Sequence, residues 1–252
     1  MGEARAGSAA SSRRPRRTRP GRAGLELLLT CEHGGHSVPA RWRPLFRGQR
    51  RLLASHRGWD IGALRVARAL ARRLDVPLVA STTTRLLVDL NRSLGHRKLL
   101  SELTRGLPRE ERARLIERHW RPHRAEVERR CERSIAAGRR VLHVAVHSFT
   151  PVLDGQVREV DVGLLYDPAR ALERRIGRAM QRELARALPK LRVRRNQPYH
   201  GTSDGLTTHL RRRFDAGAYA GIELELNQAL LGDKGEEGLV RAVEDALRTM
   251  SA

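Results

Sequence analysis

The chain has 252 residues, which is long enough for one sizeable hydrophobic core, and 40% of its residues are hydrophobic. Its two cysteines are too few for a disulfide framework or a cysteine-based structural zinc site. No apolar run reaches about 18 residues, so the sequence excludes a membrane-spanning helix.

The formal net charge of +22 is the main argument for a nucleic-acid-binding protein. Its distribution weakens that argument, because seven arginines fall within residues 1–24 and the others are scattered over the predicted helices. We therefore expect a small-molecule substrate and no nucleic-acid or membrane partner, apart from weak attraction of the tail to anionic surfaces. Residues 1–24 are predicted to be a disordered basic tail, and residues 25–252 a single domain of a cytoplasmic protein.

Strand-like and helix-like segments alternate along the chain, which is the pattern of an α/β fold. We predict strands at residues 25–30, 77–81, 86–90, 141–146, 160–166 and 219–226. We predict helices at residues 58–74, 108–137 with a break near Pro122, 169–188, 206–216 and 235–250. The apolar stripe of the first helix should cover one face of the sheet.

Polar residues follow two of these predicted strands. Glu32 and His33 come soon after the first strand, and His147 comes directly after the strand at 141–146. An α/β sheet gathers its chemistry beyond the carboxyl ends of its strands, so the two histidines can converge on one metal ion. Either histidine alone could instead be a satisfied core or surface residue.

The last predicted strand carries two carboxylates. Glu223 and Glu225 are two residues apart, hence on the same face of a strand that is otherwise apolar. A carboxylate on a buried strand needs a partner or a function. Together with the two histidines, this pattern favours a metal-dependent hydrolase.

A segment between residues 85 and 92 has the composition of an anion-binding site. Arg85 and Arg92 flank an apolar stretch that carries Asp89 and Asn91. Arginine can hold a carboxylate through two parallel hydrogen bonds, and Asn91 can donate to a carboxylate or an amide carbonyl. Asp89 could fix an arginine in its binding rotamer. The alternative interpretation is an ordinary strand followed by a solvated charged turn.

Seven short segments, in a fixed order from residue 25 to residue 231, carry a resemblance to a known family. They are Cys31-Glu32-His33-Gly34-Gly35 with Val38-Pro39, His56 with Trp59-Asp60-Ile61-Gly62-Ala63, Arg85-Leu86 with Asp89-Leu90-Asn91-Arg92, His147-Ser148-Phe149, Arg158 with Val162-Gly163-Leu164-Leu165-Tyr166, Asn196-Gln197-Pro198-Tyr199, and Leu224-Glu225-Leu226-Asn227-Gln228. As an ordered set they resemble the N-formylglutamate amidohydrolase family.

That family is similar to zinc carboxypeptidases and aspartoacylases. The resemblance therefore implies a three-layer α/β/α fold with a mixed central sheet and one catalytic Zn²⁺ ion. It implies His33 and His147 as metal ligands, Asn91 and Arg92 as the pair that binds a substrate carboxylate, and Glu225 as the base that activates water. Glu223 is the alternative base.

The third metal ligand is open, because the relatives place a glutamate three residues after the first histidine and this chain has His36 there. Asp60 is the preferred substitute, and Glu32 is the alternative. Three protein ligands and one open position are what a catalytic zinc ion requires.

Arg85, Arg158 and Tyr199 are further candidates for substrate binding; each could otherwise be a surface arginine or a packed tyrosine. The expected reaction is hydrolysis of N-formyl-L-glutamate to formate and glutamate, in amino acid metabolism such as histidine degradation. The alternatives are a related N-acyl amino acid hydrolase or carboxypeptidase-like peptidase with the same site. From another class, the alternative is a basic nucleic-acid-binding protein with a degenerate metal site.

Overall fold

The computed structural model describes residues 24–232 and 235–251, with a six-stranded sheet at its centre. The strands of this sheet are β1 (Leu25–Cys31), β2 (Leu78–Ala80), β3 (Arg140–Phe149), β6 (Val162–Leu165), β7 (Val193–Arg195) and β8 (Tyr219–Asn227). They lie in the order β2-β1-β3-β8-β6-β7. Two short strands, β4 (Val152–Leu153) and β5 (Gln156–Val157), form a separate antiparallel pair.

The directions of the strands bring several chain segments to one edge of the sheet. Strands β2, β1, β3 and β8 are mutually parallel, whereas β6 is antiparallel to β8. The carboxyl ends of β1, β3 and β8 therefore meet the amino end of β6 at one edge, which we call the carboxyl edge. Residues that follow β1, β3 or β8, or that precede β6, can reach it.

Helices cover both faces of the sheet. They are a 3₁₀ helix (Ala40–Phe46), α1 (Arg50–Ala54), α2 (Ala63–Leu74), α3 (Arg109–Leu115), a π-helical turn (Ile116–Trp120), α4 (Arg121–Ala136), α5 (Ala171–Ala187), α6 (Leu206–Arg213), a second 3₁₀ helix (Gln228–Leu230) and α7 (Gly235–Ser251). Helices α2, α5 and α7 pack on the face that carries Leu27 and Val144. Helices α4 and α6 pack on the face that carries Leu28 and Val141. The predicted three-layer α/β/α fold with a mixed sheet is confirmed.

The predicted strand at residues 86–90 is wrong, because this segment forms a turn followed by irregular chain. Leu86 and Leu87 are buried, which explains their apolar character. Ser101 Oγ donates to the carbonyl of Leu86, and Thr104 Oγ1 donates to that of Leu87. Because side chains satisfy these carbonyls, the buried segment needs no neighbouring strand.

Several other elements differ from the sequence prediction. The short strand β7 was not predicted, since its sequence Val193–Arg195 carries two arginines in three residues. Helix α2 begins at Ala63 rather than at residue 58, after Gly62 with a φ of 82°. The predicted break near Pro122 is a π-helical turn, Ile116–Trp120, just before the proline, whose missing amide hydrogen removes one helical hydrogen bond.

Within the described ranges, no helix is long and apolar enough to cross a membrane. The tail predicted at residues 1–24 falls, except for Gly24, outside the described residues. The assignment of residues 25–252 to a single domain stays a prediction.

Candidate metal centre and substrate pocket

A cavity of about 400 Å³ opens at the carboxyl edge. The predicted site residues that line it are His33, Asp60, Arg85, Asn91, Arg92, His147, Arg158, Tyr199 and Glu225. Glu32, the alternative ligand, is fully buried behind the cavity wall. The fold thus gathers at one cavity all the predicted site residues except Glu32.

Strands β3 and β8 place two of these residues side by side. His147 and Glu225 are register partners on neighbouring parallel strands. Leu224 and Leu226 belong to the core under α2, α5 and α7, so Glu225 faces the opposite side of the sheet. His33 lies two residues beyond the end of β1, which is the other neighbour of β3.

His33, Asp60 and His147 form a buried group whose candidate ligand atoms all lie within 4.8 Å of one another. Asp60 Oδ2 lies 2.8 Å from His147 Nδ1 and 3.4 Å from His33 Nδ1. The backbone amide of Asp60 donates to the carbonyl of His33 at 2.9 Å, which ties the loop before α2 to the end of β1. The group could hold a metal ion.

A second carboxylate lies behind each imidazole, at the ring nitrogen that faces away from Asp60. His33 Nε2 donates to Asp89 Oδ1 at 2.7 Å, and Glu32 Oε2 lies 3.0 Å from His147 Nε2. Such partners fix the orientation and tautomer of a ligating histidine. Glu32 therefore lies behind His147, whereas Asp60 lies between the two Nδ1 atoms.

The carboxylates of this cluster are held in their ionised form. Burial would raise the pKa of Asp60, but His33 and His147 outweigh burial and hold that pKa below its usual range. Burial would also raise the pKa of Glu32, but the imidazoles of His123 and His147 hold it well below its usual range. The same carboxylates outweigh burial and raise the pKa of both His33 and His147, so each ionised carboxylate is paired with an imidazole that a metal ion could bind in place of a proton.

Arg85 is engaged by carboxylates of the same cluster. Its Nη2 donates to Asp89 Oδ2 at 2.7 Å, and its Nη1 donates to Asp60 Oδ1 at 3.3 Å. These contacts fix both carboxylates in orientation. Arg85 therefore lines the cavity with a guanidinium group that is already largely paired.

Glu225 lines the cavity with a carboxylate oxygen that is not hydrogen-bonded to the described residues. It is buried, which raises its pKa to about 7, and its Oε2 has no hydrogen-bond partner among the described residues. Glu223 differs, because its Oε1 accepts a hydrogen bond from Thr207 Oγ1 at 2.7 Å. Of the two, Glu225 has the pKa and the free oxygen that suit proton transfer near neutral pH.

Asn91 and Arg92 lie beside the amino end of α6. Asn91 Oδ1 accepts from the amide of Leu206 at 2.6 Å, so the Nδ2 donors of Asn91 remain for the cavity. Arg92 Nη1 donates to the carbonyl of Asp204 at 2.7 Å. Its Nε is buried and has no hydrogen-bond partner within the described part of the chain. The pair therefore offers donors to an anion.

Arg158 and Tyr199 form a second basic group at the cavity wall. Arg158 Nη1 donates to the Tyr199 hydroxyl at 2.8 Å. Its guanidinium carbon lies 5.1 Å from the centre of the Tyr199 ring and 5.5 Å from that of Phe149. These contacts hold the guanidinium group of Arg158 in place before any ligand binds.

Several further cavity residues were not assigned a role from the sequence. They are His56, Lys98, His200 and Asp204. Asp204 accepts hydrogen bonds from the amide and hydroxyl of Ser93, which anchors the chain after Arg92. Because Ser93 and Asp204 lie far apart in the sequence, no local pattern predicts this contact. His56 alone stood within a matched family segment.

The buried group fits a metal ion on its own chemistry. Two imidazole nitrogens and one carboxylate oxygen are a donor set that transition metals accept. A carboxylate lies close behind each imidazole, as is usual for metal-binding histidines. The three residues also line the cavity, which leaves the remaining side of the group open to a small molecule.

The fold and this site define an α/β protein with a candidate metal centre at the carboxyl edge of a mixed sheet. The chain belongs to the N-formylglutamate amidohydrolase family, whose sequence profile matches residues 25–231. The predicted resemblance is thereby confirmed, and it makes the protein an amidohydrolase by family.

Two solved structures share the fold of this chain. The gene product Atu2144 from Agrobacterium tumefaciens is 32% identical with a TM-score of 0.76, over 91% of this chain and 93% of that chain. An N-formylglutamate amidohydrolase from Ralstonia eutropha JMP134 is 20% identical with a TM-score of 0.66, over 90% of this chain and 93% of its own, and shares the fold. No curated protein sequence gave a match.

Proposed function

We propose that this protein is a zinc-dependent amidohydrolase that cleaves N-formyl-L-glutamate to formate and glutamate. The observation that carries the proposal is the buried group of His33, Asp60 and His147, which lines one cavity together with the free carboxylate of Glu225 beside it. Membership of the N-formylglutamate amidohydrolase family supports the substrate.

His33, Asp60 and His147 would hold the metal. Two imidazoles and a carboxylate with an open position form a donor set typical of catalytic zinc. A zinc ion held there would supply Lewis acidity, polarising the scissile carbonyl and lowering the pKa of water toward about 7. Asp89 keeps the His33 imidazole in orientation from behind.

Glu225 is the general base of the proposed reaction. It takes a proton from the attacking water and passes it to the amine that leaves when the amide bond breaks. A pKa of about 7 suits a group that must accept and return a proton near neutral pH. Because β3 and β8 fix Glu225 beside His147, the base needs no movement of the backbone to reach the site.

Asn91 and Arg92 hold the α-carboxylate of the substrate. The unpaired Nε of Arg92 and the Nδ2 donors of Asn91 support this assignment. Arginine and asparagine together can bind both oxygens of one carboxylate. The substrate amide would then lie between this pair and the metal site.

Arg158 and Tyr199 hold the second carboxylate, at the end of the glutamate side chain. A guanidinium group fixed between two aromatic rings is oriented in advance, which favours binding of an anion. Two separate basic groups in one cavity support a substrate with two carboxylates. A monocarboxylic N-acyl amino acid would leave the Arg158 guanidinium without a carboxylate partner.

A comparison of three substrates tests the proposal. Initial rates are measured for N-formyl-L-glutamate, N-formyl-L-glutamine and N-acetyl-L-glutamate with the zinc-loaded protein. We expect the highest kcat/KM for N-formyl-L-glutamate. A higher value for N-formyl-L-glutamine would contradict the second carboxylate site, and a higher value for N-acetyl-L-glutamate would assign a different acyl group.

A further inference from the structure

Glu32 and His123 form a buried pair that the substrate cavity does not include. Glu32 is 0% exposed and His123 is 8% exposed. Glu32 Oε1 lies 3.5 Å from His123 Nε2, and Glu32 Oε2 lies 3.0 Å from His147 Nε2. Neither residue lines the cavity, so neither can touch the substrate in this structure.

A carboxylate buried this deeply must be paired, because an isolated charge in a protein interior is strongly unfavourable. Each oxygen of Glu32 faces one imidazole, so its carboxylate bridges the end of β1 to β3 and α4. The side chain that follows on α4, Arg124, donates to the carbonyls of Leu90 and Arg92. The start of α4 thus contacts both the metal-site support and the segment that carries Asn91.

The two candidate imidazole ligands have different supports. His33 is held by Asp89, which also accepts from Arg85 and from the amide of Asn91. His147 is held by Glu32, whose other neighbour is His123. The contacts behind His147 therefore include no residue of the segment that carries Asn91 and Arg92.

We propose that Glu32 and His123 are positioning residues: His123 fixes the Glu32 carboxylate, and Glu32 holds the His147 ring with Nδ1 directed at the metal. This inference rests on the proposed metal centre. It predicts that the pair acts on metal affinity without contacting the substrate. In a merely structural role the pair would affect stability alone.

The test measures zinc affinity rather than activity. The dissociation constant of Zn²⁺ is determined by competition with a chromophoric chelator for the wild type, Glu32→Gln and His123→Gln. Loss of a carboxylate behind a metal-binding histidine weakens metal binding about 10- to 100-fold, and we expect a change of this size for Glu32→Gln. A smaller change in the same direction is expected for His123→Gln.

His119→Gln is the matched control, because His119 lies in the helical turn just before α4 and does not line the cavity. Its zinc dissociation constant should equal that of the wild type. Visible spectra of the Co²⁺-loaded proteins report the coordination geometry, which should change in Glu32→Gln and stay unchanged in His119→Gln.

Unchanged zinc affinity in a folded Glu32→Gln protein would overturn the inference, even if its melting temperature fell. If Glu32→Gln does not fold, His123→Gln becomes the test. An unchanged zinc dissociation constant of His123→Gln would then overturn the inference. A wild type that binds zinc and leaves N-formyl-L-glutamate intact would contradict the proposed substrate only. A wild type that binds no divalent metal would contradict both proposals.

Discussion

Glu225 on β8 is the direct register partner of His147 on β3. The backbone ladder between two parallel strands therefore sets the distance between the proposed base and a proposed metal ligand. Both side chains point to the face of the sheet that α4 and α6 cover, where a carboxylate and an imidazole can serve one reaction. This arrangement makes the roles of individual residues testable.

Glu225→Gln should abolish most activity and leave substrate binding nearly intact. General acid–base catalysis contributes about 10²- to 10⁴-fold, so we expect kcat to fall by that factor with little change in KM. Glu223→Gln is the matched variant on the same strand face, and its kcat should fall far less because Glu223 is bound by Thr207. The opposite order in steady-state kinetics would make Glu223 the base.

The same substitution should stabilise the metal-free protein at alkaline pH. Burial raises the pKa of Glu225 from 4.5 to about 7, so the folded state binds this proton more tightly than the unfolded chain. Wild-type stability is then lost as pH rises from about 4.5 to about 7, by an amount on the order of 3 kcal/mol. Glu225→Gln avoids this loss. The melting temperatures of the wild type and Glu225→Gln are measured at pH 4.5 and pH 8. A difference between the two proteins that is the same at both pH values would refute this prediction.

The two basic groups of the cavity should respond differently to the substrate side chain. Arg158→Gln should raise KM for N-formyl-L-glutamate about 10- to 100-fold, the value of a hydrogen bond to a charged group, and leave KM for N-formyl-L-glutamine nearly unchanged. Arg92→Gln should impair both substrates, because both carry an α-carboxylate. If Arg158→Gln impairs the two substrates equally, Arg158 does not bind the side-chain carboxylate.

Gly163 on β6 is expected to tolerate no side chain. A Cβ there would lie 2.2 Å from the carbonyl oxygen of Gln197 and 3.1 Å from Cβ of Glu225. Gly163→Ala should cost about 1–3 kcal/mol and displace the loop that carries Tyr199, lowering kcat/KM as well. Gly217→Ala is the control, because its added Cβ meets no atom within 4 Å. The free energy of unfolding of both variants is measured by urea denaturation. Equal values for Gly163→Ala and Gly217→Ala would contradict the predicted clash at Gly163.

The strands that the sequence predicted correctly are those whose apolar runs are buried in the central sheet. The runs before His33 and His147 are buried strands, and their ends meet because parallel strands share a carboxyl edge. The segment at residues 86–90 was misassigned because a buried loop and a buried strand have the same apolar character. Its backbone is satisfied by Ser101 and Thr104, which no local pattern reveals.

For the candidate site, the limit of sequence reasoning was the orientation of side chains. Glu32 and Asp60 were both candidates for the third ligand, since each lies within a segment that matches the family. Only the fold turns Asp60 toward both Nδ1 atoms and puts Glu32 behind His147. Arg85 was a further candidate for substrate binding, yet Asp60 and Asp89 already hold its guanidinium group.

The most direct test of the account is the release of glutamate from N-formyl-L-glutamate, measured side by side for three samples. These are the zinc-loaded protein, the same protein after chelation, and zinc-loaded Glu225→Gln. We predict rapid release by the first sample only, with activity restored when zinc is returned to the second. Undiminished release by the chelated protein or by Glu225→Gln would contradict a metal-dependent reaction with Glu225 as its base.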